Sequence, residues 1–327
     1  MKRREFITLL GGAAVCPLGA RAQQPAIPVI GFLHTGTPEI TPNLLAGFRN
    51  GLAETGYIEG RNVRIEYRWA NNNFDRLPEL AADLVRQRVS VIAAANSQNA
   101  ALAAKAATTT IPIVFGGGAD PVQVGLVASF NRPGGNVTGL VGMTGELGAK
   151  RLGLLHDLLP GATRIGVLAN FENPSAGEAM LADVKAAAST MNLQIEVLAA
   201  ANSHEIDIAF ATLLQKRADA LLTAPAALFG ARRLQLVILA ARHAVPVIYH
   251  DRLYPESGGL MSYGASLADV YRQVGIYTGR ILKGEKPGDL PVMQPTKFEL
   301  VINLQTAKTL GIAVPPTLRA LATEIIE

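Results

Sequence analysis

Ile111-Pro112-Ile113-Val114-Phe115 and Val245-Pro246-Val247-Ile248-Tyr249 are one phrase written twice, 134 residues apart. Each reads as a short buried strand, rich in β-branched residues and followed by turn-forming ones. Working outward, Ile30-Gly31-Phe32-Leu33 returns as Ile165-Gly166-Val167-Leu168 at an offset of 135, and Ile65-Glu66-Tyr67 as Ile195-Glu196-Val197 at 130. Val91-Ile92 aligns with Leu221-Leu222, again at 130. A short apolar run matches another easily, so one pair carries little. Four strands in the same order at nearly constant spacing predict two α/β lobes of similar topology.

Amphipathic stretches fill the intervals, which is the pattern of parallel sheets covered by helices. Thr41 is placed to cap a helix that has Pro42 at its first position, Leu44, Leu45, Phe48 and Leu52 on one face, and Gly56 as its stop. Further helices are expected over 74–88, 97–107 and 145–159, the last closed by Pro160, and after Asn173-Pro174 and Ser203. Asn131-Arg132-Pro133-Gly134-Gly135-Asn136 forms turns and is read as the passage between lobes. The expected division is 1–22 leader, 28–135 first lobe, 136–262 second lobe, and 263–327 a crossover helix, strand and tail. Past Tyr249 a strand at 260–263, a helix at 266–283 stopped by Gly284 and a strand at 298–302 remain. That tail must cross between the lobes or extend a sheet, so a hinge of more than one strand is expected.

The 327 residues are 49% hydrophobic and 17% charged, enough for two cores and too little charge for disorder. Residues 1–22 hold Lys2, Arg3, Arg4 and Arg21 against Glu5, a net of +3, which leaves +1 of the chain's +4 for the rest. The sequence pI of 9.2 therefore says little about nucleic acid, and no downstream Lys/Arg block tracks phosphates. The leader itself reads as an export address. A twin-arginine pair, Arg3-Arg4, precedes an apolar run from Ile7 to Ala20 and then Ala20-Arg21-Ala22, small residues where a signal peptidase reads. That run, of about 14 residues, is too short for the roughly 20 that span a bilayer. Cleavage after Ala22 and a periplasmic location are expected. Cys16, the only cysteine, lies within the leader, and Ala13, Val15 and Pro17 around it do not fit a lipidation site. The mature chain then has no cysteine, hence no disulfide, thiolate metal site or cysteine nucleophile.

In open α/β sheets ligands bind beyond the carboxyl ends of the strands. The repeat locates those ends: His34 with Thr35, Asn96 with Ser97, and Gly117 with Gly118 in the first lobe. In the second they are Asn170 with Phe171, Pro225, and His250-Asp251-Arg252. Facing lobes would bring all of them to one cleft, with the polar groups and glycines that a small molecule needs. Plainer roles stand beside these: a cap for Asn96, Ser97, Asn170 or Asp120, a tight turn for Gly116 to Gly118, packing for Trp69, and an Asp251–Arg252 pair at the rim. No G-x-S-x-G, no H-E-x-x-H, no dinucleotide fingerprint and no histidine–carboxylate cluster at metal spacing occurs, so no cofactor, metal or catalysis is expected.

Several stretches are characteristic as a set. They are Asp120-Pro121-Val122 through Gly125-Leu126-Val127, Arg132-Pro133-Gly134-Gly135-Asn136-Val137-Thr138-Gly139, Gly258-Gly259-Leu260-Met261-Ser262-Tyr263-Gly264, Ile281-Leu282-Lys283-Gly284, Leu290-Pro291-Val292 and Leu300-Val301-Ile302-Asn303. In these the chain resembles, over residues 28–312, the substrate-binding proteins of ABC transporters with the type I periplasmic-binding fold, in a branch described only as a periplasmic component. The resemblance implies two Rossmann-like lobes, a small-molecule ligand, closure of the lobes on it, a membrane permease as partner and a monomer without nucleic acid. Some relatives bind aromatic or other hydrophobic amino acids, the carboxylate held in one lobe and the ammonium by an acidic residue of the other. That would place first-lobe contacts at His34, Asn96 and Ser97, and second-lobe contacts at Asn170 and Asp251. The chain departs from this pattern at Pro225-Ala226-Ala227-Leu228, apolar where a polar ligand residue is expected. Either Asp251 supplies the charge or the ligand, an amino acid or a small carboxylate, lacks an amine. Two other readings remain: an exported α/β enzyme, and a ligand-sensing regulator, for which fewer than 30 residues before Pro28 leave no DNA-binding domain.

Overall fold

The computed structural model describes residues 27–38, 42–95, 98–117, 120–142, 147–171 and 174–327. In the first lobe β1 (Val29–His34), β2 (Arg64–Trp69), β3 (Val91–Ala94), β4 (Ile113–Gly116) and β5 (Val137–Leu140) form a sheet of order β2-β1-β3-β4-β5, parallel throughout. Between them run α1 (Pro42–Glu54), α2 (Leu77–Arg86) and α3 (Gln98–Ala107). After α4 (Gly148–Leu158), the second sheet takes β6 (Arg164–Ala169), β7 (Gln194–Ala199), β8 (Ala220–Thr223), β9 (Val247–Tyr249) and β10 (Met261–Ala265). Here α5 (Pro174–Thr190), α6 (Ser203–Gln215), α7 (Ala227–Ala231), α8 (Arg233–Arg242) and α9 (Leu253–Glu256) make the connections. Then come α10 (Leu267–Leu282), β11 (Phe298–Asn303), α11 (Leu304–Thr309), α12 (Pro316–Leu321) and β12 (Glu324–Ile326).

The second sheet runs β12-β11-β10-β9-β8-β6-β7. Read from β7, its first five strands repeat the order of the first sheet, and two tail strands are added beyond β10. The β10–β11 pair is the antiparallel one. The repeat extends to individual hydrogen bonds: Ala70 N–H donates to His34 C=O in one lobe and Ala200 N–H to Ala169 C=O in the other. Ile92 N–H to Pro112 C=O likewise mirrors Leu221 N–H to Pro246 C=O. One expected alignment slips. Ile30 and Ile165 are equivalent, and they pair with Val91 and Ala220, so the third strands correspond at 129 rather than 130. A one-residue slip exchanges the faces of a strand. Both strands are buried on both faces, so no polar alternation marked their register.

The boundary expected at 136 is also corrected. Val137–Leu140 is fully buried and pairs in parallel with β4, so this strand belongs to the first sheet. The turn before it closes a loop within that lobe, where the Asn136 amide donates to the carbonyls of Thr108 and Ile111. The passage to the second lobe follows β5 instead.

The tail does both things open to it: it crosses, and it extends a sheet. From β10 the chain returns to the first lobe, where α10 lies along α1 and buries Tyr271, Val274, Tyr277 and Ile281 with Leu44, Leu45, Phe48 and Leu52. It then runs beside β5, Val141 N–H bonding to Met293 C=O and Met293 N–H to Gly139 C=O, before β11 takes it back. Ser266 N–H donates to Lys297 C=O, so the second and third passages are hydrogen-bonded as well. Three passages therefore join the lobes.

Small residues let α10 approach so closely. Gly47 and Gly51 on α1 face Ala268 and Arg272, and Gly275 and Gly279 on α10 face Phe48, Leu52 and Thr55. A Cβ at Gly51 would stand far inside contact distance of the Arg272 carbonyl oxygen. This seam carries the return crossover.

Candidate functional site

Parallel strands put the carboxyl ends of each sheet on one edge, and the crossovers decide how the two edges meet. The chain leaves β5 and β10 at their carboxyl ends for the opposite lobe. Shortly after leaving β10, the Tyr271 hydroxyl lies 2.7 Å from His34 Nε2 at the carboxyl end of β1. The two carboxyl edges therefore face each other across the crossovers.

His34 proves to be a structural tie at the floor of that edge. It is 6% exposed, and Gly36 N–H donates to its Nδ1 at 2.9 Å. Nε2 therefore carries the ring hydrogen and donates to Tyr271 Oη. Phe32 stacks on the imidazole and Trp69 tilts against it, which gives Trp69 the packing role. Burial pulls the His34 pKa down to about 4, so the ring is neutral at physiological pH. Both ring nitrogens are engaged within the lobe, which leaves none for a ligand.

Around it, Thr35 is half-buried and its carbonyl accepts from Asn72 N–H at 2.7 Å. Gly117 holds φ 79°, a left-handed conformation suited to glycine, and its N–H donates to Leu140 C=O. Asp120 caps its own turn through Val122 N–H. Asn96, Ser97, Gly118 and Thr41 lie outside the described residues. In the second lobe Asn170 is half-buried with its amide on Ala200 C=O, and Phe171 packs on the core behind it. Pro225 and Ala226 are half-buried ahead of α7.

His250, Asp251 and Arg252 go to different ends. Arg252 is not paired with Asp251. Its Nε, Nη1 and Nη2 meet Glu256, Glu299 and Glu324 at 2.7, 3.3 and 2.7 Å, which pins α9, β11 and β12 to the end of β9. Each guanidinium nitrogen meets a carboxylate, which gives Arg252 a structural role at this end of the sheet. Asp251 instead sits 3.3 Å from His250 Nε2 and accepts Leu253 N–H on Oδ1 at 2.9 Å. The side chain keeps 17% exposure, and the one accepted hydrogen bond leaves lone pairs on the carboxylate. His250, edge-on to Tyr254, is held neutral with a pKa down to about 4, by burial first and by the Arg151 charge, against the pull of Asp251.

Arg151 was missed by sequence reasoning. It is fully buried in the first turn of α4, and its Nε donates to Tyr263 C=O on β10 at 2.8 Å. Burial lowers its pKa to about 10, with the charges of Asp251 and Tyr263 acting in the opposite sense, so it stays cationic. A signal existed: Arg151, Leu155 and Leu158 follow helical spacing, so the arginine occupies an apolar-face position. Among the described residues no cluster of three or more His, Cys, Asp or Glu is arranged for a metal ion, and no helix is long and apolar enough to cross a membrane.

A tyrosine-binding protein of Clostridioides difficile (strain R20291) is 28% identical over 264 residues, covering 81% of this chain and 75% of the relative. Among solved structures, an ABC domain in complex with L-Trp from Streptococcus pneumonia is 25% identical with a TM-score of 0.79, covering 91% of this chain and 99% of that one. A ligand-free, open substrate-binding protein with adhesive properties from Clostridium difficile is 25% identical, TM-score 0.70, over 92% and 99% of the two chains. Residues 39–326 match the family of ABC transporter substrate binding proteins, and with two lobes facing across three passages the chain belongs to that family.

Proposed function

We propose that this protein is the periplasmic receptor of an ABC importer and closes its cleft on an amino acid with a large apolar side chain. The observation that carries the reading is Asp251: a partly exposed carboxylate at the cleft end of β9, with neutral neighbours at His250 and Leu253 N–H and lone pairs free for an ammonium. Thr35, Asn96, Ser97, Gly117 and Gly118 offer hydroxyl, amide and backbone groups for the carboxylate. Asn170, Phe171, Pro225 and the apolar run to Leu228 take the side chain, which accounts for the loss of a polar residue there. His34 and Arg252 stand outside the contact set. The tyrosine-binding relative and the L-Trp complex support this ligand class.

Ligand spanning both edges favours the closed arrangement by its differential affinity. A permease in the inner membrane then receives the closed monomer, and neither catalysis, cofactor nor nucleic acid takes part. Export follows the twin-arginine leader, with Gln23 as the first mature residue.

Calorimetry with L-tyrosine, L-tryptophan, L-phenylalanine and their des-amino analogues tests the reading. Binding of at least one amino acid, weakened by Asp251→Asn by about ten- to over a hundred-fold, is expected, since hydrogen bonds to charged groups contribute roughly 1.5–3 kcal/mol. Equal affinity for amino acid and des-amino analogue would show that no amine is read.

A further inference from the structure

We propose that Asn71 and Asn72, in the turn after β2, are ligand contacts of the first lobe, their side-chain amides donating to the carboxylate of the bound amino acid beside Thr35. The inference rests on the amino-acid reading above.

The repeat within the chain singles this turn out. Ala70 and Ala200 are equivalent: each donates its N–H to the last residue of the neighbouring strand, His34 in one lobe and Ala169 in the other. Each turn then ends on a capping asparagine, Asn73 accepting Asp75 N–H and Asn202 accepting Glu205 N–H. Three steps lead from Ala70 to Asn73 and two from Ala200 to Asn202, so the first lobe carries one residue more. The shorter turn already does what entry into a helix requires, since Ala201 N–H and the Asn202 amide both bond the Glu205 carboxylate of α6. The longer one sets Asn71 and Asn72 in succession in the left-handed region, at φ 56° and 59°. A side chain is strained there, and asparagine is among those that tolerate it best. Such strain persists only where the surroundings over-determine it, and it clusters at ligand sites.

The surroundings here are the end of β1. Asn71 N–H donates to Gly36 C=O at 3.1 Å, and Asn72 N–H to Thr35 C=O at 2.7 Å. Gly36 N–H is held by His34 Nδ1, and His34 Nε2 by the Tyr271 hydroxyl. The turn is thus stitched to the segment that carries Thr35 and fixed, through buried rings, to α10. Its backbone is used in this fixing, and its side-chain amides are not. Both residues are exposed beyond the carboxyl end of β2, and no described residue bonds either amide. Each amide brings two N–H donors and no charge. Donors on a fixed backbone lose little freedom when a ligand arrives. Neutral donors on this edge and a carboxylate, Asp251, on the other suit the two ends of an amino acid.

Glycine accepts the left-handed backbone and removes only the amide. The experiment therefore compares wild type, Asn71→Gly with Asn72→Gly, and Asn71→Asp with Asn72→Asp. Calorimetry is run with L-tyrosine, L-tryptophan, 3-(4-hydroxyphenyl)propionate, which lacks the amine, and tyramine, which lacks the carboxylate. The glycine pair should weaken the amino acid that wild type binds about tenfold or more, equivalent to about 1.4 kcal/mol, and tyramine far less. The aspartate pair should weaken it further, because like charges then meet at the carboxylate. Melting temperatures of both pairs should stay near wild type. A lowered melting temperature with unchanged affinity marks a purely structural turn and overturns the proposal, as does an equal loss for tyramine. If the glycine pair does not fold, Asn72→Gly alone and the aspartate pair carry the test. Wild-type protein that binds the propionate as tightly as L-tyrosine refutes the amine reading, and loss of propionate binding in the glycine pair then keeps this one. Amine selectivity that depends on Asp251, with wild-type affinity in both turn variants, keeps that reading and refutes this one. Wild-type protein that binds none of the four probes refutes both.

Discussion

Replacing Gly51 with alanine sets two effects of opposite sign against each other. Alanine is the better helix former by about 1 kcal/mol, and Gly51 lies inside α1, so local propensity alone predicts a gain. The tertiary contact predicts a loss. The new Cβ would fall 1.8 Å from the Arg272 carbonyl oxygen, 2.7 Å from its carbon and 3.0 Å from Ile276 N, all backbone atoms that no rotamer change can clear. Bringing 1.8 Å up to 3.0 Å requires α1 and α10 to part by about 1.2 Å. That opens the layer formed by Phe48 and Leu52 with Tyr271 and Val274, all buried. Overpacking of this kind costs typically 1–3 kcal/mol and occasionally more. With a backbone clash the upper end applies, for a net loss of about 2 kcal/mol after the helical gain. The control is Gly153→Ala in α4, where the added Cβ meets only Met191 Cε at 3.6 Å and the propensity gain of about 0.5–1 kcal/mol should survive. Urea unfolding with matched m-values reads both. Gly51→Ala as stable as wild type, or moving in the same direction as Gly153→Ala, would refute the claim that the return crossover depends on backbone-to-backbone packing.

Acid should destabilise the protein through its buried histidines. His34 and His250 have pKa values near 4 in the fold against about 6.5 unfolded, so their contribution is complete above pH 6.5 and is lost as pH falls through 4, with a ceiling of about 3 kcal/mol each. Chemical denaturation at pH 7 and pH 4.5 measures this, and His34→Asn should flatten the slope; a flat wild-type profile would contradict the neutral, buried assignment. Arg252→Ala strands Glu299, which is 7% exposed at its side chain and already pushed toward its protonated form by burial. A loss of about 2–3 kcal/mol is expected, discounted from a fully buried pair because Glu256 and Glu324 are exposed, with ligand affinity unchanged. Weakened binding without lost stability would return Arg252 to the cleft. Solution scattering should give a smaller radius of gyration with saturating ligand, and an unchanged radius would argue against closure on the ligand.

The number and kind of lobes were legible in the sequence because a duplicated chain repeats its strands in order, and four matched phrases suffice to show it. The carboxyl ends of those strands followed by counting. Register within β3 and β8 was not legible, since strands buried on both faces carry no alternation to fix which residue points where. The boundary at β5 was hidden for a similar reason: four residues, Val137 to Leu140, gain strand character only by pairing with β4. What each end residue does was decided by partners distant in the chain. His34 meets Tyr271, Arg252 meets Glu299 and Glu324, and Arg151 meets Tyr263, at separations of 237, 47, 72 and 112 residues. Position along a strand follows from local pattern, whereas the use of a side chain's hydrogen bonds and charge depends on which elements the fold packs beside it. Only the tertiary structure shows which partners within the fold engage the side chains of His34 and Arg252.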